Sequence, residues 1–268
     1  MSSSDERNDR KQGFRHRPEK PGKPRPQRVS AGDAKDWLWG VHAVEAALAN
    51  PARPAPRRLL ATEDRARTLS RRFPGTRIET LEAHDIGRQL PQGAVHQGLA
   101  LKIDPPEALT VVEIGSPADG VLVMLDQLTD PQNVGAIFRS AAAFGARGLI
   151  LQDRHAPALS GALAKAAAGA VDRLPIAIVV NLSRALEQLS ELGWRIVGLD
   201  GASDIDLDAA LDGAPTVLVM GSEGEGLRRL VSEHCDVLAR IPMPGGFESL
   251  NVSNAAAIAL YEAARKRG

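Results

Sequence analysis

The stretch VLVMLDQLTDPQNVGAIFRSAAAF, residues 121–144, decides the fold reading of this chain. Val121 to Leu125 are apolar without interruption, the pattern of a strand buried on both faces rather than one with a wet side. Pro131 suits the first turn of a helix, where its missing N–H costs nothing. Asn133 either caps that helix or turns its amide outward. Ile137, Ser140, Ala141 and Phe144 recur at helical spacing on one face. Arg139 lies two positions from Ile137, about 200° around a helix of 3.6 residues per turn, and so points away from that face. On periodicity alone it reads as a solvated arginine.

The same strand-then-helix unit repeats outward from this stretch. Gly148 to Leu151, Pro175 to Val179, Arg195 to Leu199, Thr216 to Met220 and Val237 to Ile241 read as further strands, most of them separated by helical stretches of about ten residues. Apolar strands alternating with helices predict an α/β domain, residues 120–268, built on a parallel sheet. Upstream, ordered sequence is predicted to begin at Trp37. A helix over Val41 to Ala49 is stopped by Pro51, Pro54 and Pro56. A strand near Arg57 to Ala61, a helix near Glu63 to Arg72, a strand near Arg77 to Thr80, a helix near Glu82 to Leu90 and a strand over Leu99 to Ile103 complete a small α/β domain, residues 37–104. Asp104, Pro105 and Pro106 open a connection, residues 105–119. No internal repeat is found.

The 268 residues carry 33 Lys+Arg against 33 Asp+Glu, a balance that at first argues against a nucleic-acid partner. The balance is a cancellation. Residues 1–35 hold ten basic and five acidic side chains with four prolines and no apolar periodicity, which predicts a disordered basic tail ending near residue 36. The remainder holds 23 basic and 28 acidic side chains. The one cysteine, Cys235, rules out a disulfide framework and any multi-cysteine metal site. The six histidines form no ligand pattern, so no metal is expected. No apolar run approaches the roughly 18 residues of a membrane span, and the charged start lacks a leader's apolar core. The expectation is a cytoplasmic protein.

In open parallel sheets ligands bind beyond the carboxyl ends of the strands. After Met220 comes Gly221-Ser-Glu223-Gly-Glu-Gly226, three glycines in six residues before a helix predicted from about Leu227. This is neither the G-x-G-x-x-G of dinucleotide folds nor a P-loop, and a simple tight turn explains it equally well. After Ile241 come Pro242-Met243-Pro244 and then Ser249-Leu250-Asn251-Val252-Ser253-Asn254, polar residues that suit mere capping of an Ala-rich helix running to Arg267. Three polar or glycine-rich loops after three strands of one sheet are harder to dismiss together.

Asn133-x-Gly135-x-x-x-Arg139, Gly221-Ser-Glu223-Gly-Glu-Gly226 and Ser249-Leu-Asn251-Val-Ser253 resemble, in order and spacing, the three motifs of the SpoU (TrmH-type) RNA ribose 2′-O-methyltransferases of the SPOUT superfamily. Gly40-Val-His42-Ala-Val and Gly93-Ala-Val-His96-Gln97-Gly98 are similar to that family's substrate-binding domain. The resemblance spans about residues 37–268. It is closest to the branch that methylates a guanosine ribose in the peptidyl-transferase P loop of 23S rRNA. It implies S-adenosylmethionine as cofactor, RNA as partner, a homodimer with sites near its interface, and a trefoil knot in the parallel-sheet domain, which periodicity alone would not reveal. It assigns Asn133, Arg139, Glu223, Ser249 and Asn251 to catalysis and Leu199, Gly221, Ile241, Met243 and Leu250 to cofactor binding. The alternatives are ribose methylation of tRNA, a non-catalytic RNA-binding or ribosome-assembly protein on the same scaffold, and a nucleotide-dependent oxidoreductase, which the missing dinucleotide fingerprint disfavours.

Overall fold

The computed structural model of the protein describes residues 36–222, 224–246 and 249–267. The basic tail, with its expected disorder, Glu223, Phe247, Glu248 and Gly268 lie outside the described residues.

The small unit runs β1 (Trp37–Trp39), α1 (Val41–Ala49), β2 (Arg58–Ala61), α2 (Glu63–Arg72), β3 (Glu79–Thr80), α3 (Ala83–Arg88) and β4 (Leu99–Lys102). Its sheet has the order β1-β4-β2-β3, with β4 antiparallel to β1 and β2, and β3 parallel to β2. The three residues of β1 are all buried and are too few to show a period, which is why sequence marks only the start of order there. The connection read over residues 105–119 contains a helical turn, α4 (Val111–Gly115). Thr110 and Glu113 close it as a capping box, and buried Ile114 packs into the same core as Leu189.

The larger unit runs β5 (Val121–Leu125), α5 (Pro131–Ala143), β6 (Gly148–Gln152), α6 (Gly161–Ala167), β7 (Ile176–Val179), α7 (Leu182–Glu191), β8 (Arg195–Leu199), α8 (Leu207–Ala210), β9 (Thr216–Met220), α9 (Arg229–Ser232), β10 (Val237–Ala239) and α10 (Val252–Arg267). The six strands are parallel in the order β10-β8-β9-β5-β6-β7. Alternate side chains go to opposite faces. Val123, Leu125 and Leu218 pack with Ile137 and Phe138 of α5 and Leu260 of α10, while Leu122, Met124 and Val219 pack with Leu186 and Leu189 of α7. β10 ends at Ala239 instead of Ile241, and Pro242 and Pro244, which have no N–H to offer a ladder, follow at once. After β10, at one edge, the chain returns across the sheet and lays α10 against α5 and beside β5 and β9.

The two units share a packed seam. Asp172 accepts from Nε of Arg53 at 2.6 Å and from Nδ2 of Asn50 at 3.2 Å, and the Arg53 and Asp172 side chains are 1% and 3% exposed. The Trp39 ring covers Gly161 so closely that a Cβ there would lie 2.8 Å from it.

Candidate active site

The loops after β8, β9 and β10 enclose a cavity of about 630 Å³ at the carboxyl edge of the sheet. That volume falls in the usual range for small-molecule and cofactor sites. Met220 and Ala239, the last residues of β9 and β10, are buried, so the cavity has an apolar floor. The loop after β9 supplies one wall. Ser222 and Gly226 exchange backbone N–H···O bonds of 3.0 Å, which folds the loop back on itself. Gly224 and Gly226 take φ of 90° and 68°, a region closed to most side chains. Gly221 needs its missing side chain for a different reason: a Cβ there would stand 2.2 Å from the Gly226 carbonyl carbon.

This loop is also tied to the neighbouring strands. Asp126, fully buried after β5, accepts from the Arg228 backbone N–H at 3.0 Å and from its Nε at 2.7 Å, and Arg228 Nη2 donates to Gln152 Oε1, at the end of β6, at 3.3 Å. The helix expected from Leu227 starts only at Arg229, because Arg228, with ψ of 145°, is still extended and stands at the N-cap. Sequence reasoning assigned no role to Asp126 or Arg228. The available signal was an acid directly after a five-residue apolar strand, where an unpaired charge would be costly.

The opposite wall is the entrance to α10. Oδ1 of Asn251 accepts from the N–H of Ser253 at 3.0 Å and of Asn254 at 3.4 Å and so caps the helix. With Oδ1 committed, Nδ2 faces α5 and donates to Oδ1 of Asn133 at 3.0 Å. The first turn of α5 is capped by Asp130, which accepts from the N–H groups of Gln132 and Asn133. Of the two roles open to Asn133 in sequence, capping is thereby excluded, and its amide meets Asn251. Gly135 is a packing residue: a Cβ would lie 2.6 Å from the Leu163 carbonyl oxygen of α6.

Leu199, Gly221, Ile241, Met243 and Leu250 all line the cavity, as do Ser249 and Asn251. Asn133 joins them through Asn251. Arg139 does not line it: it stands on the exposed side of α5, six residues beyond Asn133. Glu223 is outside the described residues. Among the described residues no cluster of His, Cys, Asp and Glu is arranged to hold a metal, and no helix is long and apolar enough to cross a membrane.

Comparison with known proteins gives two family matches. The model for the SpoU rRNA methylase family covers residues 120–261, and that for RNA 2′-O ribose methyltransferase substrate binding covers residues 37–109. A protein of Mycolicibacterium gilvum described as an uncharacterized tRNA/rRNA methyltransferase is 43% identical over 199 residues, 72% of this chain and 63% of that one. A Synechocystis protein described in the same terms is 39% identical over 250 residues, 89% of this chain and 64% of the relative. The chain thus spans just under two thirds of these relatives' length. Among solved structures, the SpoU methyltransferase AviRb from Streptomyces viridochromogenes, in complex with AdoMet, superposes with a TM-score of 0.74 at 30% identity over 86% of this chain and 89% of that one.

Proposed function

Because the chain belongs to the SpoU rRNA methylase family, we propose that it transfers a methyl group from S-adenosylmethionine to a ribose 2′-hydroxyl of RNA, with a guanosine of 23S rRNA as the preferred target. The observation that carries this reading is the convergence of Asn133, Ser249 and Asn251 on the rim of a cofactor-sized cavity. The cavity suits the cofactor chemically. Leu199, Met220, Ile241 and Leu250 offer apolar surface to an adenine ring, and the backbone groups of the glycine loop and of residues 241–250 offer polar partners. Bound there, S-adenosylmethionine supplies an electrophilic methyl whose thioether leaving group needs no proton.

What remains for the protein is alignment. Holding two reactants in line contributes roughly 7–11 kcal/mol, against a factor of about 10²–10⁴ for a positioned base. The Asn133 and Asn251 amides, fixed by each other and by the α10 cap, orient the ribose hydroxyl together with Ser249. Arg139 carries a guanidinium, a group that stays protonated in proteins and is unsuited to accept a proton. It binds an RNA phosphate, and the hydroxyl proton leaves to a phosphate oxygen or water.

The homodimer belongs to the same proposal. Ile258 and Tyr261 on α10 are 41% and 55% exposed, and Phe144 at the end of α5, 37% exposed, meets the Tyr261 ring edge-on at 5.9 Å. A second copy seated on this apolar face approaches Arg139, little more than one turn before Phe144, and brings it to a shared site. The return of α10 from the β10 edge to α5, past the loops after β8 and β9, supports the trefoil threading. Residues 37–104 act in this reading as the RNA-capturing domain and 120–268 as the methylating one, in the cytoplasm.

The decisive experiment maps 2′-O-methylation across total rRNA and tRNA from cells with and without the protein. Loss of one ribose methyl from 23S rRNA is expected. A change confined to tRNA would move the substrate, and no change in either would remove the activity.

A further inference from the structure

Gln97 is one of only three non-glycine residues with positive φ among the described residues, at 55°. It holds this conformation on an exposed turn between the two sheets. Its backbone carbonyl accepts from Nε of Arg65, on α2, at 3.3 Å. Its side-chain Oε1 accepts from Nζ of Lys165, on α6, at 2.5 Å and from the Val41 N–H at 3.3 Å. Two cations, one from each sheet's helices, therefore converge on one turn.

Neither has an acidic partner among the described residues, whereas neighbouring arginines do: Arg58 pairs with Glu79, Arg67 with Glu63 and Arg72 with Glu45. A neutral amide spaces the two cations without cancelling their charge. Lys165 reaches the turn because position 40 is glycine, where a Cβ would stand 2.5 Å from Nζ. Burial pushes the Lys165 pKa down, so the ammonium is held at a cost that an arriving anion would reverse. The other side of α6 carries Leu163, Ala166 and Ala167, which pack on Gly135 of α5. One helix, about 10–12 Å across, thus separates the turn from the helix that presents Asn133.

We propose that Arg65, Gln97 and Lys165 form a clamp for an RNA phosphodiester at the seam of the two domains, holding the strand a few nucleotides from the ribose to be methylated. This rests on the RNA methyltransferase reading above. A phosphate bridges the two cations, Gln97 keeps them apart, and the clamp reads the backbone rather than the base.

The test measures binding of a protein-free 23S rRNA transcript across a salt series for the wild-type chain, Lys165→Met, Arg65→Met and Gln97→Glu. Each lost cation should weaken binding and flatten the slope of log K against log salt by about 0.7, the value for one single-strand phosphate contact. Gln97→Glu is the sharper probe. Its carboxylate replaces the amide Oε1 against Lys165, so thermal stability holds or rises while RNA affinity falls. Wild-type binding and methylation with unchanged affinity and slope in all three variants would overturn the clamp alone. A wild-type chain that neither binds nor methylates the transcript would overturn the parent reading and the clamp with it.

Discussion

Nδ2 of Asn251 donates to Oδ1 of Asn133 at 3.0 Å, joining the first turns of α10 and α5 across 118 positions of sequence. The bond has one direction because Oδ1 of Asn251 is already used to cap α10. The two amides therefore act as a unit. Asn133→Ala and Asn251→Ala should each slow methyl transfer, and the double variant should lose less than the sum. A coupling of about 0.5–3 kcal/mol in a double-mutant cycle on kcat/KM is expected. Strictly additive losses would show that the contact has no part in catalysis.

Gly221→Ala places a methyl group 2.2 Å from backbone that cannot move without opening the loop. Overpacking of this kind costs about 1–3 kcal/mol. Here the loop opens more easily than the core, so the loss should appear in the cavity. Calorimetric titration should show S-adenosylmethionine binding weakened roughly tenfold or more, with the unfolding midpoint shifted little. Unchanged affinity would refute the glycine's role.

Asp172→Asn removes the charge that compensates Arg53 at the buried seam. Breaking one side of a buried pair costs about 3–5 kcal/mol, because the other charge is stranded. Urea denaturation should show a loss of that size and a separate early transition for the small sheet. A loss below about 1 kcal/mol would mean that the seam is wetter than the pair's 1% and 3% exposure implies.

The Cys235 thiol, its Sγ donating to the Val231 carbonyl, is pushed by burial from an ordinary 9.0 up to about 12, with Asp236 and Asp126 adding to the shift. The folded chain thus keeps its proton where the unfolded chain has lost it. Stability from this group is complete below pH 9.0 and declines as pH rises from there to about 12. At pH 8, alkylation should be slow in buffer and fast in denaturant. Rapid alkylation of the folded protein would contradict this environment.

Much of the scaffold was legible locally. Val121–Leu125, Arg195–Leu199 and Thr216–Met220 are strands over the expected residues, and Val41–Ala49 and Glu63–Arg72 are helices over theirs. These segments carry their own period, or its absence in a doubly covered strand. The misses are short elements. β1 and α4 have too few residues for a pattern, and α9 starts late because Arg228 is still extended at its N-cap. Of the loops that line the cavity, those after β9 and β10 were legible, and the brace of Asp126, Arg228 and Gln152 was not, since nothing in sequence ties position 126 to 228.

The sequence by itself determined the two α/β units, the basic tail, and which loops to inspect, because periodicity, proline positions and motif spacing are properties of neighbouring residues. Only the tertiary structure decided that the strand order is β10-β8-β9-β5-β6-β7, that α10 comes back to α5 so that Asn133 faces Asn251, and that Arg139 stands outside the cavity on an exposed helix face. It also decided that Lys165 of one unit meets Gln97 of the other. These are contacts between segments far apart in the chain, set by how layers bury their apolar faces, and no local pattern encodes them.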